Sequence, residues 1–598
     1  MPITSLTEAS QELASPPPKT PQLFRRLSAI ERVRELYQRA QQPVNRSILE
    51  NVLTGMRVQY QVTESDWARV PTKGAAIVTA NHPFGLLDGA ILGALLTRVR
   101  TDVKILTNFM LAGIPELREH CIFVDPFGGS DSVARNWAGV RKAMDWLAVG
   151  GMLVVFPAGE VSHLRLQDFG IADPPWNSMV ARLASKTSAV VVPVFIAGHN
   201  SATFLALGLM HPRLRTAWLL NEFLQQTGKT VEVRVGHRIS PEILGSLGSD
   251  REAATYLRWR TYVLAQRGRT PGSRIPSALL SRKTLPLAAA IPTGSLVRDL
   301  QKLGPDRCLW EDGEFAFYIG KAREFPAVML EIGRLRELTF RQAGEGTGGG
   351  SDLDQFDYYY THFVLWNKTK REIVGAYRVG LTTQILPQLG VPGLYTSTLF
   401  RYDPRFFPSI GPAMELGRSF VHPEYQKQYA PLLNLWKGIG RYVGRHPRFA
   451  VLFGAVSISQ RYNRLSRELI FRFFQNQGKN DGLARLVAPR SPFHPRPVLP
   501  AIGDGFCRSI RHLDHLADPI ADIENDGKGI PILVKHYTKL GGRMLSFNLD
   551  RNFSNVLDGL VLVDLRRSDP ALLARYMGKA DLTAFIRHHG LHGAAEVS

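Results

Sequence analysis

A chain of 598 residues exceeds what one hydrophobic core organises, so its length implies at least two domains. With 44% hydrophobic and 21% charged residues, it has a globular composition, which excludes a disordered or fibrous chain. Lys and Arg outnumber Asp and Glu by 73 to 52, a formal charge of +21, which draws the protein toward nucleic acid, anionic lipid or an acidic carrier protein. The three cysteines, Cys121, Cys308 and Cys507, lie far apart, so they predict neither a disulfide framework nor a metal site. They suit a reducing cytosol.

Taken in chain order, residues 1–27 read as a disordered extension without the apolar core of a secretory signal. Residues 28–58 carry apolar positions at helical spacing among basic ones, which predicts an amphipathic lead-in broken near Pro43. AAIVTA, VKILT, CIFVD, MLVVFP and AVVVPVFIA then alternate with helical runs, predicting a largely parallel sheet covered by helices. The helix over 131–148 places Val133, Trp137, Val140, Met144 and Leu147 on one face. This first α/β domain is expected over 28–266, followed by a basic, Pro- and Gly-containing linker over 267–295. A mixed α+β domain is expected over 296–598, with a flexible insert AGEGTGGGSD at 343–352. No apolar run reaches the ~18 residues of a membrane span. No nucleic-acid motif is visible, so the basic charge predicts peripheral attachment to an anionic membrane surface or docking of a carrier protein.

At the end of AAIVTA stands Asn81-His82-Pro83-Phe84-Gly85-Leu86-Leu87-Asp88. A His past a strand end, with an Asp able to fold back onto it, can act as a general base that takes a proton from a hydroxyl. The same pair also suits a helix cap. FPAGEVS at 156–162 and VVVPVFIAGHN at 190–200 follow in order after CIFVD at 121–125. The four blocks together resemble the glycerolipid acyltransferase superfamily, and the resemblance implies an acyltransferase in which His82 and Asp88 are catalytic. Two departures bear on the acceptor. His82 and Asp88 have five intervening residues where four are usual, so the Gly85 turn must restore their contact. Ala158, Glu160 and Val161 replace Glu, Thr and Arg, and Pro126 follows Asp125 in place of Arg. The missing arginines are those expected on an acceptor phosphate, so an acceptor without glycerol phosphate is expected. Pro157 and Gly159 shape a turn that can aim amide donors at an oxyanion, and Glu160 suits either a cationic acceptor or a helix cap. Arg165 and His199 are secondary candidates.

In the second half, MLEIGRLRELTFR at 329–341, DLDQFD at 352–357, EIVGAYRVG at 372–380 and MELGRSFVHPEY at 414–425 stand in an order that resembles the acyl-homoserine-lactone synthase branch of the GNAT fold. The segment 541–565 is similar to the tail of ornithine N-acyltransferases at Asp550, Phe553 and Asp558. This likeness implies N-acylation, with Glu415 as proton acceptor and Arg334, Asp357 and Arg418 binding the amino acid or the donor's phosphopantetheine. The alternative is that the four form a structural ion network. Leu435 stands where coenzyme A users of this fold carry Gln or Arg ahead of the glycines, here Gly438 and Gly440, so acyl carrier protein is preferred over acyl-CoA as donor.

A GNAT-like domain behind a lysophospholipid acyltransferase-like one resembles a bifunctional aminolipid synthase of the ornithine-lipid type. It implies N-acylation of an amino acid with a 3-hydroxyacyl group, then O-acylation of that lyso-aminolipid, with no bound cofactor. The expected place is the inner face of a bacterial cytoplasmic membrane. The rival readings are a lysophospholipid (1-acylglycerol-3-phosphate) acyltransferase with a degenerate second domain, and a non-catalytic membrane- or nucleic-acid-binding protein.

Overall fold

The computed structural model describes residues 21–41, 47–124, 130–165, 170–268, 285–495, 510, 512–551, 553 and 555–591. Asp125, Pro126, the expected extension up to residue 20 and residues 269–284 of the expected linker lie outside this set. The chain divides into two compact units, one of Met1–Gly268 with Pro497–Gly529, the other of Arg269–Arg496 with Ile530–Ser598. The first break falls inside the expected linker. The second corrects the expectation of an uninterrupted domain over 296–598, and buried charge is the physical reason. Asp522, on the helix Ala517–Ile523, is fully buried and is reached by Arg69, Arg260 and the backbone and ring of His237, all in the first unit. A buried carboxylate is tolerable only with such partners, so the segment is fixed to that unit.

The first unit is built on a seven-stranded sheet. Its strands are β1 (Gln59–Gln61), β2 (Ala76–Ala80), β3 (Val103–Asn108), β4 (Cys121–Val124), β5 (Met152–Val155), β8 (Val190–Ile196) and β9 (Thr230–Val235). The intervening β6 (His163–Arg165) and β7 (Gly170–Ala172) form a separate hairpin. The order is β1-β9-β8-β2-β5-β3-β4, with β8, β2, β5, β3 and β4 parallel and β9 antiparallel to β8. β2 is central and buried along its whole length, so its carboxyl end opens into the crevice where parallel sheets hold their sites. The lead-in forms helices Pro21–Ala40 and Ile48–Gly55, and the second inserts Leu49 and Leu53 into the core. It approaches the helix Leu86–Thr97 so closely that a Cβ at Gly93 would lie 2.3 Å from Leu49.

One expected helix face is rotated. In Ser130–Ala148 the buried line runs through Gly139, Ala143 and Leu147, whereas Trp137 is exposed. Gly139 sets this angle: a Cβ there would fall 2.5 Å from the carbonyl oxygen of Phe123, so that side must face the sheet.

The second unit carries an eight-stranded sheet in the order β10-β11-β12-β13-β15-β16-β19-β18. Its strands are β10 (Cys308–Asp312), β11 (Phe315–Lys321), β12 (Thr361–Asn367), β13 (Glu372–Leu381), β15 (Ala413–Val421), β16 (Val451–Ile458), β18 (Arg543–Asp550) and β19 (Val556–Asp564); β14 (Phe400–Tyr402) pairs separately with β17 (Val487–Pro489). All neighbours are antiparallel except β15 and β16. That parallel pair is hydrogen-bonded only over Ala413–Glu415 and Val451–Phe453, and beyond it the strands separate into a wedge. Helices Pro326–Ala343 and Ala430–Arg445 pack on the sheet. The Gly-rich insert is held in place, contrary to its flexible composition. Glu337 accepts from the amides of Thr347 and Gly348 and from the Thr347 hydroxyl, because a buried carboxylate recruits any nearby donor.

Candidate active sites

The turn after β2 builds the first site. Asn81 exchanges two hydrogen bonds with the backbone of Ile196 on β8, which fixes the strand end from which His82 projects. Gly85 takes φ +77°, a conformation favoured by glycine, and this lets the chain turn into the helix that carries Asp88. The five-residue interval is thereby closed: His82 Nδ1 lies 2.9 Å from Asp88 Oδ2. The N–H direction falls off that line, so the contact is an ion-pair distance without a straight hydrogen bond. Oδ2 also accepts from the amides of Phe84 and Gly85, at 2.9 and 3.0 Å. Asp88 therefore caps the helix with the same oxygen that lies beside the His82 ring. Burial pushes the Asp88 carboxyl up, opposed by His82 and the two amides. Phe156 stacks on the His82 ring at 4.3 Å, and the imidazole is 19% exposed while Asp88 is sealed. Nδ1 is turned inward, so Nε2 is the nitrogen left for a substrate hydroxyl.

The expected donor turn is present but works differently. Gly159, at φ +68°, donates its amide to the Phe156 carbonyl, and Pro157 accepts from Asn177, so these two residues shape the turn without presenting the Gly159 amide. Glu160 is neither a helix cap nor an unpaired acid: Arg215, from the helix Pro212–Gln225, donates to it at 2.6 Å. An arginine has thus returned from another element, already matched by a carboxylate. His199 Nδ1 contacts the carbonyl of Asn200. Arg165 lies at the periphery of Asp173.

Asp173 is a residue that sequence reasoning missed. Fully buried, it accepts from the His82 amide, the Ser162 hydroxyl and Trp176 Nε1, while Tyr262 and Arg258 hold its own backbone. It lies in a Pro-rich loop 91 positions from His82, where no periodicity announces it.

The second unit gathers three acids and three arginines. Arg336 binds Asp352 and Asp357, Arg378 binds Asp354 and Asp357, and Arg418 lies 3.5 Å from Asp352 and 3.7 Å from Asp354. Burial opposes ionisation of Asp357, but Arg336 and Arg378 outweigh it and hold the carboxyl down at about 2. Arg418 and Asp357 therefore belong to one ion network without touching: Arg418 reaches Asp352 and Asp354, while Arg336 and Arg378 hold Asp357. Arg334 does not join it: turned to another helix face, it pairs with Glu331 three residues back. Arg336 and Arg378 take the place expected of it. At Arg418 the backbone has φ +48°, beside a break in register between β13 and β15, and the guanidinium lies 5.0 Å from the rings of Tyr395 and Phe553.

Glu415 ends the bonded part of the β15–β16 pair, but its oxygens are engaged. Oε2 accepts from the Tyr360 hydroxyl and the Tyr395 amide, and Oε1 from the Thr396 amide at 2.6 Å. Direct proton removal by Glu415 would require displacing a donor. Gly438 and Gly440 are also consumed by packing, since a Cβ would meet Phe317 at 2.1 Å and the Tyr576 backbone at 2.7 Å.

Comparison with known proteins follows this division. A family model described as acyltransferase matches residues 24–268, and one described as acetyltransferase (GNAT) domain matches residues 335–437. The glycine N(α)-acyltransferase of Bacteroides thetaiotaomicron is 35% identical over 247 residues, 40% of this chain and 72% of that one. The L-ornithine N(α)-acyltransferase of Rhodobacter capsulatus is 28% identical over 39% of this chain and 83% of its own. The lyso-glycine lipid O-acyltransferase of Phocaeicola vulgatus is 27% identical over 33% and 70%. The protein is an acyltransferase, an α/β acyltransferase-like domain joined to a GNAT-like one. It belongs to the family of the glycine N(α)-acyltransferases and is also similar to the lyso-glycine lipid O-acyltransferases, a combination that matches a bifunctional aminolipid synthase.

Proposed function

We propose that the protein makes a phosphorus-free diacylated aminolipid in two steps. The second unit joins a 3-hydroxyacyl group to the amine of an amino acid, and the first unit then acylates the 3-hydroxyl. The observation that carries this reading is the presence, in one chain, of a His–Asp pair suited to a hydroxyl and a GNAT-like unit whose likeness is to amino-acid N-acyltransferases. In the O-acylation, His82 Nε2 takes the hydroxyl proton as the oxygen attacks the thioester carbon. The tetrahedral oxyanion collapses, the C–S bond breaks, and the thiolate takes the proton back from the imidazolium. Asp88 stabilises that imidazolium. In the N-acylation, Glu415 holds the Tyr395–Thr396 backbone beside the wedge, which makes it a positioning residue, and Arg418 orients anionic groups of the substrates.

The donor is acyl carrier protein, favoured by the +21 charge and by Gly438 and Gly440 being spent on packing. Among the described residues no helix is long and apolar enough to cross a membrane, and the charge supports peripheral attachment to anionic lipid. Glycine and ornithine are the acceptors to test, glycine first because its relative is 35% identical against 28%. Purified protein given 3-hydroxyacyl carrier protein, acyl carrier protein and either amino acid should yield a diacylated product by mass spectrometry. Absence of any N-acylated product would overturn the reading. Arg215 favours a second one, acylation of 1-acylglycerol-3-phosphate, which would be supported by activity on that lipid that exceeds activity on the lyso-aminolipid and survives Glu415→Ala.

A further inference from the structure

Beside the wedge, and apart from the paired network, lies a second group of acids, Asp558, Glu345 and Asp550. Asp558 on β19 stands opposite Ser457 on β16, past the point where β15 and β16 part. Glu345 hydrogen-bonds Ser457. Asp550 ends β18 and accepts from the amide of Phe553, whose ring carries the Arg418 guanidinium. Arg461 faces Glu345, whereas the cation felt by Asp558 is Arg418, which is shared with Glu345, Asp352 and Asp354.

Asp558 is the distinctive member. Only 5% exposed, its carboxylate makes no hydrogen bond or salt bridge among the described residues. A buried, unpaired carboxylate is unfavourable unless something compensates it. Burial, Asp550 and Glu345 together push it well above the usual carboxylate range, and burial pushes Glu345 up to about 7. An incoming cation at Asp558 relieves the repulsion that Asp550 and Glu345 exert on it.

We propose that Asp558, flanked by Glu345 and Asp550, receives a primary ammonium group of the amino-acid acceptor beside the β15–β16 wedge. The assignment rests on the N-acylating role proposed above. It gives the acceptor two opposite contacts in one place, with its ammonium on Asp558 and its carboxylate toward Arg418.

The test uses the full-length chain and Asp558→Asn, which keeps the shape and removes the charge. The expected result is a KM for glycine and ornithine raised at least about tenfold, with the KM for acyl donor and the O-acylation of lyso-aminolipid unchanged. The melting temperature should stay the same or rise, because a repelled buried charge is gone. A rise in KM for ornithine alone assigns the site to the side-chain ammonium; a rise for both assigns it to the α-ammonium. An unchanged amino-acid KM with a lower kcat, or a lower melting temperature, overturns the proposal. Methylammonium separates the site from the reaction: it should raise the melting temperature of the wild-type chain and not of the variant. If that holds while no amino acid is acylated, the N-acylation reading fails and the site stands. If acylation proceeds and neither KM nor the methylammonium effect depends on Asp558, the site fails and the reading stands.

Discussion

At the scale of single residues, the geometry ranks the side chains by what they can still do. His82 has its Nδ1 turned to Asp88, which is locked by two amides, so a base at this position moves only its proton. His82→Ala should lower O-acylation by roughly 10²- to 10⁴-fold, and Asp88→Asn by a similar factor. The double variant should lose little more than either single one, because the two act as a unit; additive losses in steady-state assays would contradict that. The same reasoning gives Glu160 a testable role in acceptor choice. Glu160 pairs with Arg215, an arginine at the turn 156–162 that an acceptor phosphate could use only if Glu160 released it. Glu160→Thr frees that guanidinium, and the ratio of 1-acylglycerol-3-phosphate to lyso-aminolipid turnover should rise roughly severalfold, limited by the solvent around this partly exposed pair. Direct competition between the two lipids measures the ratio.

Elements in this protein are positioned by glycines as much as by apolar stripes. Gly438 lets the helix Ala430–Arg445 lie against Phe317, with a Cβ there meeting the ring at 2.1 to 2.4 Å on three atoms. Gly438→Ala should therefore destabilise the second unit by about 1–3 kcal/mol and reduce N-acylation while leaving O-acylation intact; calorimetry of the full chain reads the first effect and paired assays the second. The same residue type explains where the sequence was legible. The parallel sheet and the His82 strand end could be read because short, wholly apolar strands alternate with helical runs. The rotated helix Ser130–Ala148 could not, since hydrophobicity ranks Trp137 above Gly139 and contact distance does the opposite. At the second site DLDQFD announces acids, but which helix arginine meets them depends on helix rotation, so the sequence points to Arg334 where Arg336 binds. Asp173 and Arg215 were silent because their partners lie 91 and 55 positions away.

For the whole molecule, the two units differ in how they respond to pH. In the second unit His362 is buried against Phe325 and the Asp357 carbonyl, near Arg336 and Arg378, and burial holds it down at about 4. His536, packed on Trp436, is likewise held at about 4 by burial and by Lys539. Both are neutral in the fold, whereas in the unfolded chain they take up protons below about pH 6.5. The unfolded state therefore binds more protons between pH 6.5 and 4, and stability present above that window is lost as pH falls through it. For His362 the lowering amounts to about 3 kcal/mol at full titration, and His536, less buried, adds less. Asp357 extends the loss below about pH 4, since its folded carboxyl titrates only at about 2 and the Arg336 and Arg378 pairs vanish with its charge. In the first unit the lowered histidines, His120, His163 and His515, are partly exposed, so its slope over the same range should be shallower. Scanning calorimetry at pH 7 and pH 5 should show the transition that Gly438→Ala displaces moving further than the other. His362→Gln should flatten that displacement by removing one of the protons. A second-unit transition that keeps its midpoint between pH 7 and pH 5 would mean that these histidines are not the buried neutral groups their surroundings make them.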